Sequence, residues 1–194
     1  MRLEDKEAKK EESTNPAMGD KLLKTRSVML SGEINKESAE KIITQLLILE
    51  QDDSEKEIKI FINSPGGDVD AGYAIYDMVR FISCPVVMIG AGLVASAASL
   101  VLIAVPKERR IGLPNSTYLI HQPMSGMKGV ASDIEIYSKQ IEQLRVKLDT
   151  AIAVATGKSV EEVKKDTERD HWLFSEQAKE YGLIDRIVEN RKDL

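Results

Sequence analysis

Between residues 27 and 90 short apolar runs alternate with stretches of helical spacing. SVMLSG is followed by NKESAEKIITQLLILEQ, IKIFIN by DAGYAIYDMVRFI, and CPVVMIG comes next. The short runs are too brief for helices and rich in Val, Ile and Phe, so they read as strands. The intervening segments repeat apolar residues every three or four positions, with Ala39, Ile42, Ile43, Leu46 and Leu47 on one face of the first. A β-α-β-α-β order leaves few solutions. It predicts a largely parallel sheet with helices on its faces, and loops that carry function gathered at the carboxyl ends of the strands. With 194 residues the chain has room for one domain with a proper core.

Two appendages stand outside that pattern. Residues 1–26 are polar and charge-rich, with too little apolar surface to offset the entropy of ordering, and are expected to be mobile in isolation; residues 27–194 form the domain. From Ser132 to about Thr156 a long helix carries a narrow seam through Ile134, Tyr137, Ile141, Leu144, Leu148 and Ala151. At 1.5 Å per residue it spans roughly 37 Å, longer than a small globule needs, so part of it is expected to project. An ordinary amphipathic core helix would show the same spacing.

Charge and cysteine content exclude several classes. Twenty-seven basic residues against 32 acidic give a net charge of −5 and a pI near 5.3, which offers no general affinity for nucleic acid or an anionic membrane. The single cysteine, Cys84, rules out an internal disulfide and has no companion ligands for zinc. The opening MRLEDKEAKKEE is too charged for a signal-peptide core, and no apolar run reaches the ~20 residues of a membrane span. A cytoplasmic protein without a metal or cofactor is expected.

Chemistry-bearing residues are few. FINSPGG places Gly66 and Gly67 at a strand end, where backbone N–H groups lie open to a ligand, although a plain Pro-Gly-Gly turn explains them as well. No GxGxxG or GxxxxGK[ST] accompanies them. In GAGLVASAASLVL, Ser96 falls where a strand gives way to a helix, a position near free N–H groups that suits a nucleophile; small residues flanking it suit close packing equally. Ser64 and Ser99 remain alternatives. A serine nucleophile needs a base, and only His121, ending TYLIHQP, and His171, in ERDHW, exist. Asp170 is one of 32 acidic residues that could orient a histidine, and spacing alone does not single it out.

Taken together, FINSPGG, GLVASAASL, LPNSTYLIHQP, SDIEIYSKQI, DTERD and EQAKEYGLID stand in the order and spacing of motifs of the proteolytic subunit of the Clp ATP-dependent protease, which the chain resembles from about Ser27 to Val188. The resemblance implies a crotonase-like α/β fold, a β-β-α superhelix with a projecting handle helix at about 123–156. It implies a serine endopeptidase with Ser96 as nucleophile, His121 as base and Asp170 as orienting acid, and with the N–H groups of Gly67 and Ala97 as oxyanion donors. Stacked heptameric rings of this chain or of paralogous subunits would cut unfolded proteins delivered by an AAA+ ATPase, which consumes the ATP and docks at Phe61, Ile89, Ile111, Leu113 and Val188. A weakly active or regulatory paralogue that assembles with an active subunit is the alternative. The N-terminal segment and Ala97, where relatives usually carry methionine, depart from the family pattern.

Overall fold

The computed structural model describes residues 16–194, so most of the stretch expected to be mobile, residues 1–15, lies outside the described residues. Pro16–Lys24 forms helix α1, Leu23 packs against the main core, and the Arg26 guanidinium donates to the carbonyls of Leu49, Asp53 and Lys56.

The expected alternation is present: β1 (Ser27–Ile34), α2 (Lys36–Asp52), β2 (Ile58–Gly67), α3 (Val69–Phe81) and β3 (Val86–Ala95). In β2, Ile58, Ile60 and Ile62 are fully buried and alternate with Lys59, Phe61 and Asn63, the period-two pattern of a strand whose two faces meet different surroundings. β3 is buried on both faces over Val86–Gly90, as a central parallel strand must be. β1, β2 and β3 run parallel, and the first half of β3 continues the parallel sheet through β4 (Arg110–Gly112) to β7 (Arg186–Ile187). The second half of β3 pairs instead with β5 (Thr117–Ile120), which pairs antiparallel with β6 (His171–Phe174). One long strand thereby serves two sheet segments, and the ends of β3 and β5 meet where they diverge from β4.

Two expectations are corrected. SPGG is not a turn closing the strand: β2 runs on through it, with Gly66 and Gly67 registered against Glu33 and Ile34 of β1 after a register shift between Ser31 and Glu33. In α2 the buried stripe is Ala39, Ile42, Leu46 and Leu49, while Leu47 is 43% exposed. The stripe that covers β1 is narrower than the run of apolar residues, and Leu47 and Ile48 lie beyond its rim. Asn35 and Ser38 cap this helix reciprocally, and Asp68, directly after Gly67, caps α3 by accepting from Ala71 N–H at 2.7 Å.

The remaining helices are α4 (Ala97–Leu102), α5 (Ala131–Thr156), α6 (Val160–Asp166) and α7 (Ser175–Tyr181). α5 does project: Leu148, Asp149, Ile152 and Ala153 are buried, whereas the half from Ala131 to Gln140 is almost wholly exposed, Ile136 included. It stops at Gly157, whose φ of 77° lets the N–H close on Ala153. The main core lies between the sheet and helices α2 to α5. On the other face of the sheet Val87, Ile89, Ile111 and Val188 form a second, smaller apolar cluster, with Phe61 and Leu113 partly buried against it. Among the described residues no helix is long and apolar enough to cross a membrane.

Candidate active site

Ser96 stands between the end of β3 and the start of α4 in a backbone conformation an L residue rarely adopts, φ 56° and ψ −123°. Holding it there costs about 1–3 kcal/mol, and the surroundings over-determine it. The Ser96 N–H donates to Leu119 O at 2.9 Å, Ser96 O accepts from Ser99 N–H, and Gly66 lies so close that a Cβ there would come within 2.7 Å of Ser96 Cβ. Only glycine at 66 leaves room for this turn. The geometry is that of a nucleophile elbow without its flanking glycines, which is why the sequence showed no such motif.

His121 follows β5 directly, and Asp170 directly precedes β6. The antiparallel pair sets Ile120 opposite His171, and one further step along the same register sets 121 opposite 170. Residues 49 positions apart are thus brought together by strand pairing alone. His121 Nδ1 lies 3.0 Å from Asp170 Oδ1, and His121 Nε2 lies 2.8 Å from Ser96 Oγ. An Nδ1–H donated to the carboxylate leaves Nε2 as acceptor for the serine hydroxyl, one consistent tautomer for both contacts. The imidazole is 10% exposed and the carboxylate 58%, so the chain closes over the base and leaves the acid at the rim.

The other candidates are placed elsewhere. Ser64 is buried, with its hydroxyl accepting from Gly66 N–H; Ser99 is buried and donates toward Val94 O and Leu119 O. Both hydroxyls tie the backbone around Ser96 together. His171 packs its ring on Tyr181, centroids 5.5 Å apart. The Gly66–Gly67 corner abuts the start of α4: a Cβ at Gly66 would sit 2.8 Å from Ala97 N, a backbone N–H in the first helical turn without an intrahelical acceptor.

Beside Ser96 and His121 lies a small apolar pocket walled by Val69, Ala97, Leu100, Pro123 and Ile152. A wider groove continues from Gly67 past Met124 and Ser125 along α5 to Leu144. Among the described residues no His, Cys, Asp and Glu gather as a metal-ligand set. The five positions expected to dock a partner are brought together, Ile89, Ile111 and Val188 within the second apolar cluster and Phe61 and Leu113 along its border.

A family model described as Clp protease matches residues 9–191. ATP-dependent Clp protease proteolytic subunit 2 of Treponema denticola is 55% identical over 188 residues, 97% of this chain and 94% of that one. Proteolytic subunit 3 of Rhizobium johnstonii is 47% identical over 173 residues, 89% of each. A solved structure of a ClpP1 point mutant from Listeria monocytogenes superposes with a TM-score of 0.84 at 46% identity, covering 90% of this chain and 98% of that chain. A strand-end serine beside a histidine, a crotonase-like fold with a projecting helix, and relatives matched along nearly their whole length agree: the chain belongs to the Clp protease family of serine peptidases, among its proteolytic subunits.

Proposed function

We propose that Ser96, His121 and Asp170 form the catalytic triad with which this chain hydrolyses peptide bonds. The observation that carries the reading is the continuous contact from Ser96 Oγ through both ring nitrogens of His121 to Asp170. In the first step Nε2 takes the hydroxyl proton as Oγ bonds to the peptide carbonyl carbon. The carbonyl oxygen becomes an oxyanion facing the N–H groups of Gly67 and Ala97, donors of a kind worth about 10²–10³ in rate each. Nε2–H then protonates the leaving amine as the C–N bond breaks, and water, deprotonated by the same nitrogen, releases the acyl group. Asp170 holds the tautomer and stabilises the imidazolium. No cofactor enters this scheme.

The substrates of this reading are unfolded proteins. They are cut inside stacked rings of this chain, alone or with paralogous subunits, after delivery by an AAA+ ATPase. The exposed half of α5 supplies surface for joining rings, and the apolar cluster at Phe61, Leu113 and Val188 supplies the ATPase dock. Phe61→Asp is expected to abolish ATPase-driven degradation of a folded substrate and ATPase co-sedimentation, with the ring intact; undiminished degradation would remove the cluster from the dock.

A fluorophosphonate tests the triad directly, since it reacts only with an activated serine. Mass spectrometry of the digested protein is expected to find the adduct on Ser96 alone. An adduct on Ser64 or Ser99, or none, counts against this reading.

A further inference from the structure

Asp170 is poorly held for a residue whose position matters. Its side chain is more than half exposed, and among the described residues His121 is its one hydrogen-bond partner. Its aim therefore depends on the backbone that carries it, and fixing each such residue costs about 1–2 kcal/mol of conformational entropy. On the carboxyl side β6 pairing supplies the anchor. On the amino side the anchors come from two other places.

Gln122, the residue after the histidine, donates its backbone N–H to Thr167 O at 2.8 Å and its side-chain amide to Glu168 O at 2.6 Å. The last buried turns of α5 supply the rest. Thr167, fully buried, donates its hydroxyl to Asp149 Oδ1 at 2.7 Å; Glu168 accepts from Arg145 at 2.5 Å; and Arg145 Nε lies 3.8 Å from Asp149 Oδ2. The Arg145 guanidinium holds the Glu168 carboxyl below the usual carboxylate range, so this exposed end of the network stays charged at neutral pH. Asp149 is 2% exposed. Where tight packing alone is needed, apolar residues do as well or better than a buried carboxylate, so a charge network here calls for another purpose. None of these side chains touches Ser96, and both residues held by α5 lead within three positions to Asp170.

Resting on the triad reading above, we infer that Asp149, with Arg145 and Thr167, is a positioning group: it ties α5 to the Thr167–Asp170 segment and so sets the Asp170 carboxylate against His121. The α5 helix, which lines the groove through Ile141 and Leu144, thereby also reaches the acid of the site, through Arg145 and Asp149.

The test is a double-mutant cycle on the assembled full chain, with a short fluorogenic peptide. Thr167→Val keeps side-chain shape and removes the hydroxyl; Thr167→Ser keeps the hydroxyl. Because misplacement by about 1 Å costs on the order of 10²-fold in rate, Thr167→Val is expected to lower kcat about 10- to 100-fold with KM within about twofold, and Thr167→Ser to stay within about twofold of the parent. In an Asp170→Ala background, itself down roughly 10³- to 10⁴-fold, Thr167→Val is expected to change kcat by less than about twofold, since the group it positions is gone. An unaffected kcat in Thr167→Val, or the same proportional loss with and without Asp170, overturns the inference. If Asp170→Ala alone leaves the rate unchanged, the triad reading fails instead. Should Thr167→Val not assemble, Arg145→Met, at the better solvated end of the network, runs the same cycle with the same expected pattern.

Discussion

His121→Ala is expected to lower kcat for a short fluorogenic peptide by on the order of 10⁶-fold, the scale seen when a triad base is removed, whereas His171→Ala stays within about threefold of the parent. The contrast is sharp because the chain has only two histidines. His121 Nε2 is 2.8 Å from Ser96 Oγ, and among the described residues no other side chain hydrogen-bonds that hydroxyl. His171 is one residue from Asp170 but turns its ring onto Tyr181, on the opposite side of strand β6 from His121. Fluorophosphonate labelling should fail in His121→Ala and persist in His171→Ala. Comparable rates in the two variants would break the assignment of the base. Some rate above water is expected to remain in His121→Ala, from the oxyanion donors and peptide binding alone.

Gly66→Ala should be nearly as damaging by a different route. A Cβ at this position would stand 2.5 Å from Ala95 O, 2.7 Å from Ser96 Cβ and 2.8 Å from Ala97 N. None of these is the far end of a flexible side chain, so the Ser96 turn itself has to move. Gly66 also sits at φ 88°, where an alanine is strained before any contact is counted. Displacing Oγ and the Ala97 N–H together removes both the attack angle and one oxyanion donor, each worth on the order of 10²-fold or more. The expected loss in kcat/KM is at least about 10³-fold, with a lower Tm. Gly19, where a Cβ meets nothing within 4 Å, supplies the control: Gly19→Ala is expected to leave the rate alone. An active Gly66→Ala would show that the turn tolerates movement and that its strain has no part in the reaction.

What the sequence disclosed follows from which forces act locally. The strand and helix alternation was legible because period-two burial in Ile58–Ile62 and three-four burial in α2 are written in neighbouring residues. The projection of α5 was legible from its length. SPGG misled because glycines signal turns, whereas here they continue a strand whose partner backbone, at Ile34, leaves no space for a side chain at Gly67. The Ser96 turn lacked its usual glycine flanks because its clearance comes from Gly66, thirty positions earlier. Spacing alone did not single out Asp170 among 32 acidic residues; the DTERD motif of the resembled family named it, and the β5–β6 register sets it opposite His121. Asp149 was missed altogether, although a signal existed: an aspartate in LDTAIA, beside Leu148 and three residues before Ile152, falls on the buried stripe of an amphipathic helix, where a charge requires a partner.

The most direct test of the account is peptide hydrolysis by this chain alone, compared with Ser96→Ala assembled to the same size by sedimentation. With Ser96 as nucleophile, the parent cleaves a short fluorogenic peptide and the variant falls by on the order of 10⁶-fold. Equal rates in the two proteins would contradict it.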